Sequence, residues 1–137
     1  MWIYILKSGE LLSSTGKLIA TGYSGLGIAK NDPEAQHVPN MGPIPVGRYA
    51  IEAPKDTQRH GPYALPLTPY PDNEMFGRSL FLIHGDNVHT PGTASEGCII
   101  LPRAAREAIW QSGDHGIEVL SGIDAPVMGS DLSAGEL

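Results

Sequence analysis

A single cysteine in 137 residues rules out an intrachain disulfide framework. Basic residues are scarce as well: nine Lys and Arg stand against fifteen Asp and Glu, for a formal net charge of −6. A chain of that sign does not hold nucleic acid or an anionic membrane by bulk charge, because phosphate binding needs basic patches. No apolar run approaches the ~20 residues of a membrane span. The opening Met1-Trp2-Ile3-Tyr4-Ile5-Leu6 has neither the basic stretch nor the small-residue cleavage site of a secretory leader. Internal repeats and low-complexity segments are missing too. What the chain has in quantity is punctuation, with 17 glycines and 12 prolines among 41% apolar residues. The composition predicts one mainly β domain with long ordered Gly/Pro-rich loops, short of the Pro and Gly content that signals disorder.

Three short β-prone runs, Trp2 to Lys7, Glu10 to Ser14 and Lys17 to Tyr23, are separated by the hairpin-type dipeptides Ser8-Gly9 and Thr15-Gly16. A loop from Ser24 to Pro45 leads into a strand over Arg48 to Ala53, which Pro54 stops. Residues 54 to 71 carry five prolines and read as a long loop, extending to residue 78 as one wall of a substrate groove. Ser79 to His84 is a nearly continuous apolar run that suits a buried central strand. After Cys98 to Leu101, Pro102 opens a helix with Ala105, Ala108, Ile109 and Ser112 on one face and Gly113 as C-cap. Gly116 to Leu120 is a last strand. The expected domain is 1–122, followed by an acidic, mobile tail over 123–137.

The chemistry concentrates in His84-Gly85-Asp86-Asn87-Val88-His89 and Ser95-Glu96-Gly97-Cys98-Ile99-Ile100. A cysteine nucleophile reacts as thiolate, and a nearby imidazole can generate it. His84 ends one strand and Cys98 begins the next, so adjacent strand ends would bring thiol and imidazole together. Gly97 permits a turn of close backbone approach, which lets the Gly97 and Cys98 amides face a developing oxyanion. Taken alone, a free cysteine is more often a small buried apolar residue, and a strand-end histidine can be a satisfied core group. His37, His60, His89 and His115 lack comparable context and read as surface or loop groups, and Trp110 reads as packing.

His84-Gly85 followed by Ser95-Glu96-Gly97-Cys98-Ile99 resembles the active-site signature of the L,D-transpeptidase (YkuD-like) catalytic domain. The likeness is nearer to the L,D-transpeptidase effectors of bacterial type VI secretion. That branch is suggested by Met41 to Tyr49, His60-Gly61-Pro62-Tyr63, Met75-Phe76-Gly77-Arg78 and Ala94 to Pro102. The resemblance implies a β-sandwich of mixed strands and cysteine-dependent attack on peptidoglycan stem peptides. Residue by residue it makes Cys98 the nucleophile, His84 the general base, and Gly97 and Cys98 the oxyanion donors. Gly85, through its carbonyl, or Asp86, through its side chain, would be the third member of the triad. Ser95 would shape the turn, and Ser95, Glu96 and Arg78 are the candidates for touching substrate, Arg78 either by gripping a carboxylate or, on an equal footing, by serving in a structural ion pair. Two positions depart from the broad family: Glu96 stands where His is common, and Ile100 where a polar or basic residue is frequent.

The resemblance further implies L,D-carboxypeptidase or D-amino-acid exchange activity without metal or organic cofactor. It implies a monomer made in the cytoplasm, injected by a secretion machine, toxic in the periplasm of target bacteria and neutralised in its producer by an immunity protein. Two rival readings remain open at this point. His84, Asp86, His89 and Cys98 could ligate zinc in a metallopeptidase, which a chelator would inactivate and a thiol alkylator would not. A non-catalytic wall-binding homologue would tolerate Cys98→Ala.

Overall fold

The computed structural model describes residues 1–122, so the expected acidic tail lies outside the described residues. Ten strands and one helix follow in chain order: β1 (Trp2–Ile5), β2 (Glu10–Leu12), β3 (Leu18–Thr21), β4 (Tyr23–Ser24), β5 (Gly47–Ile51), β6 (Lys55–Thr57), β7 (Gly61–Pro69), β8 (Phe81–His84), β9 (Ile99–Ile100), α1 (Arg103–Gln111) and β10 (Gly116–Leu120). The expected mainly β class with one short helix is what the structure shows. The strands form one mixed sheet in the order β3-β2-β1-β10-β5-β7-β8-β9-β4, with β6 paired to β7. The pairs β1–β10 and β8–β9 are parallel and the others antiparallel.

The two edge strands of that order, β3 and β4, are separated in sequence by Gly22 alone, so the sheet curls nearly into a barrel. Gly22 makes this possible because a Cβ there would overlap the Ile100 carbonyl oxygen of β9. We expect Gly22→Ala to cost about 3 kcal/mol, since overpacking against backbone cannot relax by a rotamer change. The check is a thermal melt of the purified chain, and an unchanged midpoint would show that the closure carries no stability.

Inside the curl, alternate residues of successive strands meet: Tyr4, Tyr49, Ile51, Leu65, Leu67, Phe81, Ile83, Ile99, Leu101, Ile117 and Val119 are buried together. This is the period-two burial expected of strands with one face on a core. Helix α1 covers the same core with Ala105 and Ile109. Its buried face differs from the expected stripe: Ala108 and Ser112 are exposed, and Arg106 is buried instead. Pro102 is the N-cap rather than the first helical residue, and Gly113 takes the left-handed conformation (φ 79°) just past the helix end.

The Pro-rich segment is the clear correction. Much of residues 54 to 71 is not loop: it forms β6 and the nine-residue β7, which pairs with β5, β6 and β8. Proline fits here because it loses a donor but keeps an acceptor. Pro66 accepts from the Glu52 N–H at 2.8 Å, just past the end of β5 at Ile51, where no return donor is called for. The expected long loop is therefore largely sheet, and its longest irregular stretch is the one after β7, residues 70 to 80.

Candidate active site

His84 closes β8, and Cys98 lies one residue before β9. These strands run parallel with Ile83 opposite Ile99 and His84 opposite Ile100, so the register carried back by two places sets Cys98 beside Leu82. Leu82, His84 and Cys98 thus share the sheet face that points away from the core, with Cys98 diagonal to His84. Ala64, Leu82 and Cys98 make a small separate apolar cluster there. Cys98 is 9% exposed and His84 only 3%.

One edge of the imidazole is fixed: His84 Nδ1 lies 2.9 Å from the Gly85 carbonyl oxygen. An Nδ1–H donating to that oxygen leaves the Nε2 lone pair free. Nε2 is buried and makes no hydrogen bond, which is costly for a merely structural histidine. Burial is also the main influence on both proton-transfer groups. It pushes the Cys98 thiol up to about 11, against a lowering hydrogen bond from the Leu82 backbone. It pushes His84 down to about 4, with the Gly85 bond working the other way. Thiol and imidazole therefore rest as a neutral pair at neutral pH.

The turn before Cys98 is locked by buried hydroxyls. Ser95 Oγ accepts from the Gly25 N–H at 2.8 Å and the Gly97 N–H at 3.1 Å, and donates to the Cys98 carbonyl at 2.6 Å. Ser24 Oγ donates to the Gly97 carbonyl at 3.0 Å while accepting from the Ile44 N–H at 2.9 Å. Gly97 itself sits at φ 141°, and a Cβ there would come within 2.5 Å of Arg78 Nη2 and 2.8 Å of Phe81 Cε1. Only glycine fits this position.

Several expected roles change on this geometry. Ser95 is fully buried and holds the turn, so it is not placed to touch substrate. The Gly97 amide is taken up by Ser95, which leaves the Cys98 N–H of the expected oxyanion pair. Arg78 does not present a free guanidinium: Nη1 donates to Gln36 O at 2.6 Å and Pro43 O at 2.8 Å, and Nη2 to Gly42 O at 2.9 Å and Glu96 O at 3.2 Å. It ties the 36–43 loop to the cysteine turn. The Asp86 carboxylate is likewise engaged away from His84, accepting from Tyr23 OH at 2.6 Å, Asn87 N–H at 2.8 Å and Gly92 N–H at 3.1 Å. Burial works to raise its pKa, but those bonds and Lys30 hold the carboxyl below its usual range. Glu96 stays exposed at the mouth, 3.2 Å from Arg59.

The zinc alternative loses its ligand set. His89 is exposed, Asp86 is engaged by Tyr23, and among the described residues no three His, Cys, Asp or Glu side chains gather as metal ligands.

Residue type and spacing alone assign no site role to two neighbours of the site. The His60 ring, expected at the surface, packs on His84 with ring centroids 4.5 Å apart and a 39° tilt. Arg106 of α1, 4% exposed, donates to the carbonyls of Leu101 at 2.6 Å and Tyr63 at 3.1 Å, and would meet a Cβ at Gly85 at 2.9 Å. Beside it, Tyr23, Gly85, Asp86, Ile100, Pro102 and Arg103 line a cleft of about 470 Å³. Among the described residues, no helix is long and apolar enough to cross a membrane.

The family model of the Tlde1 domain matches residues 19–118, a span that contains both strand ends, the cysteine turn and His60. No curated protein matches the chain.

Proposed function

Because the chain belongs to the Tlde1 domain family of type VI secretion effectors, we propose that its Cys98–His84 pair carries out acyl transfer on peptidoglycan stem peptides. The observation that carries this reading is the buried, unpartnered Nε2 of His84, aimed by its Gly85 bond and sharing a sheet face with the chain's one thiol. Nε2 accepts the Sγ proton as sulfur attacks the carbonyl that joins the L-centre of a diamino acid to a terminal D-alanine, meso-diaminopimelate by family analogy. The Cys98 N–H faces the tetrahedral oxyanion, a donor worth on the order of 3 kcal/mol in acyl transfer. His84 returns the proton to the leaving amine, and D-alanine departs from a thioester on Cys98. Water resolves that thioester in L,D-carboxypeptidase action, and the amine of a free D-amino acid resolves it in exchange.

Either outcome removes or caps the donor stems that normal cross-linking consumes, which fits an antibacterial toxin acting in the periplasm of target cells. Secretion machinery and a protective immunity protein are the partners such an effector requires. The test is mass spectrometry of muropeptides incubated with the protein and a labelled D-amino acid. Tetrapeptide stems are expected to lose D-alanine or take up the label. Unaltered tetrapeptides after prolonged incubation would sink the reading.

A further inference from the structure

The His84 ring is held at one edge by a bond to its neighbouring residue, and its Nε2 edge is held by nothing. A bond to residue i+1 alone leaves an imidazole able to tip about its long axis. The ladder between β7 and β8, carried on by one residue from Leu65 opposite Ile83, sets Ala64 across from His84. Alanine has no side chain to pack on the ring. The face is covered instead by His60, from the turn joining β6 to β7.

That turn is anchored well beyond what a surface connection needs. The His60 N–H donates to Thr57 Oγ1 at 2.7 Å, and the Tyr63 N–H donates to Asp56 Oδ1 at 3.1 Å. Gly61 and Tyr63 both take left-handed backbone conformations, φ 81° and φ 55°. A bulky residue does so only when its surroundings compel it. Arg106 supplies that compulsion from the helix by bonding the Tyr63 carbonyl at 3.1 Å, and the Arg103 guanidinium lies 4.8 Å over the Tyr63 ring. On the outer side, the neighbouring Arg59 reaches Glu96 in the cysteine turn at 3.2 Å.

We propose that His60 is a positioning residue, clamping the His84 imidazole in the plane from which Nε2 reaches the Cys98 thiol. The inference rests on the acyl-transfer reading above and assigns the tilted ring partner its task there. When Nε2 takes the thiol proton, the new imidazolium lies against a neutral aromatic face, a favourable cation–π arrangement. Burial and the Arg59 and Lys55 charges hold His60 below the usual histidine range, with Glu96 opposing. Around His84, the Arg106 charge lowers its basicity and Asp86 raises it. A proton on His60 would set two like charges face to face and weaken the base.

His60→Ala and His60→Phe separate the possibilities. With purified disaccharide-tetrapeptide as substrate, His60→Ala is expected to lower kcat about 10- to 100-fold with KM nearly unchanged, the scale of loss when a reacting group is misplaced. His60→Phe keeps an aromatic ring against His84 and should retain kcat within about threefold of the parent, as a positioning role without proton transfer requires. A parent-like kcat in His60→Ala would overturn the proposal, as would equal losses in both variants. A second readout needs no turnover: NMR titration of the His84 ring protons. His60→Ala should shift the His84 titration midpoint and remove cross-ring contacts, and His60→Phe should preserve the contacts. An unchanged His84 titration in His60→Ala overturns the positioning role whatever the muropeptide assay shows, and a shifted one beside an inactive parent sinks only the acyl-transfer reading.

Discussion

Cys98→Ala is expected to cut D-alanine release from tetrapeptide stems by at least about a thousandfold while leaving the fold intact, because removing a covalent nucleophile eliminates the pathway itself. The lost sulfur belongs to a three-residue cluster with Ala64 and Leu82, so the stability cost should be about 1 kcal/mol. A coupled assay for free D-alanine and a thermal melt on the same sample give both values. Retained D-alanine release in Cys98→Ala would mean that Cys98 is not the nucleophile. The resting protonation state makes a companion result specific. With burial pushing the thiol up to about 11 and His84 down to about 4, no standing thiolate–imidazolium pair exists at neutral pH. Alkylation by iodoacetamide should therefore accelerate about tenfold per pH unit from pH 7 toward 10, following the thiolate fraction. A rate that levels off below about pH 8 would mean a preformed ion pair instead.

Arg78→Ala should destabilise the chain by about 3 kcal/mol, because its two terminal nitrogens supply four backbone carbonyls that have to be satisfied some other way. Arg78 is only half-buried, so water can replace part of what the four bonds supply. Against a total stability of about 5–15 kcal/mol this is large, and the melting midpoint should fall by roughly 10 °C. Arg78→Lys should recover little, since one ammonium cannot span the forked set of acceptors. Activity should fall with the fold, the Glu96 carbonyl being two residues from the nucleophile. A variant with unchanged melting and a raised KM would instead restore Arg78 to substrate binding.

These two residues mark the limits of what a linear reading can see. Cys98 and His84 were legible because their chemistry depends on residue type, and their placement on a single inter-strand register. Strands ending in His84 and beginning near Cys98 follow from apolar runs bounded by glycine, and a parallel pair sets such ends side by side. Arg78 stayed open between substrate and structure because a guanidinium serves whichever acceptors lie nearest. The carbonyls of residues 36, 42 and 43 come near only after the chain has folded. His60 and Ser24 gave no sign of their contacts for the same reason, although His60-Gly61-Pro62-Tyr63 is among the segments that carry the family likeness. Their partners are 24 and 73 residues distant in sequence, at His84 and Gly97.

The Pro-rich segment failed differently. Proline removes one donor, and whether that donor is missed depends on which strand faces it, a property of β7's neighbours and not of β7. Composition and spacing alone were enough for the mainly β class, the helix after Pro102, and the turn glycine that delivers a lone cysteine diagonal to a strand-end histidine. Which polar groups were free to act depended on the folded chain. Hydrogen-bond donors and acceptors pair by proximity, and proximity between distant segments is set by the curled sheet. Ser95, Arg78, Asp86 and the Gly97 amide are taken up in holding the turn and its neighbouring loops, while His84 Nε2 joins Trp2 Nε1 and Tyr4 OH as buried polar atoms without a partner among the described residues, and of the three it alone belongs to the site.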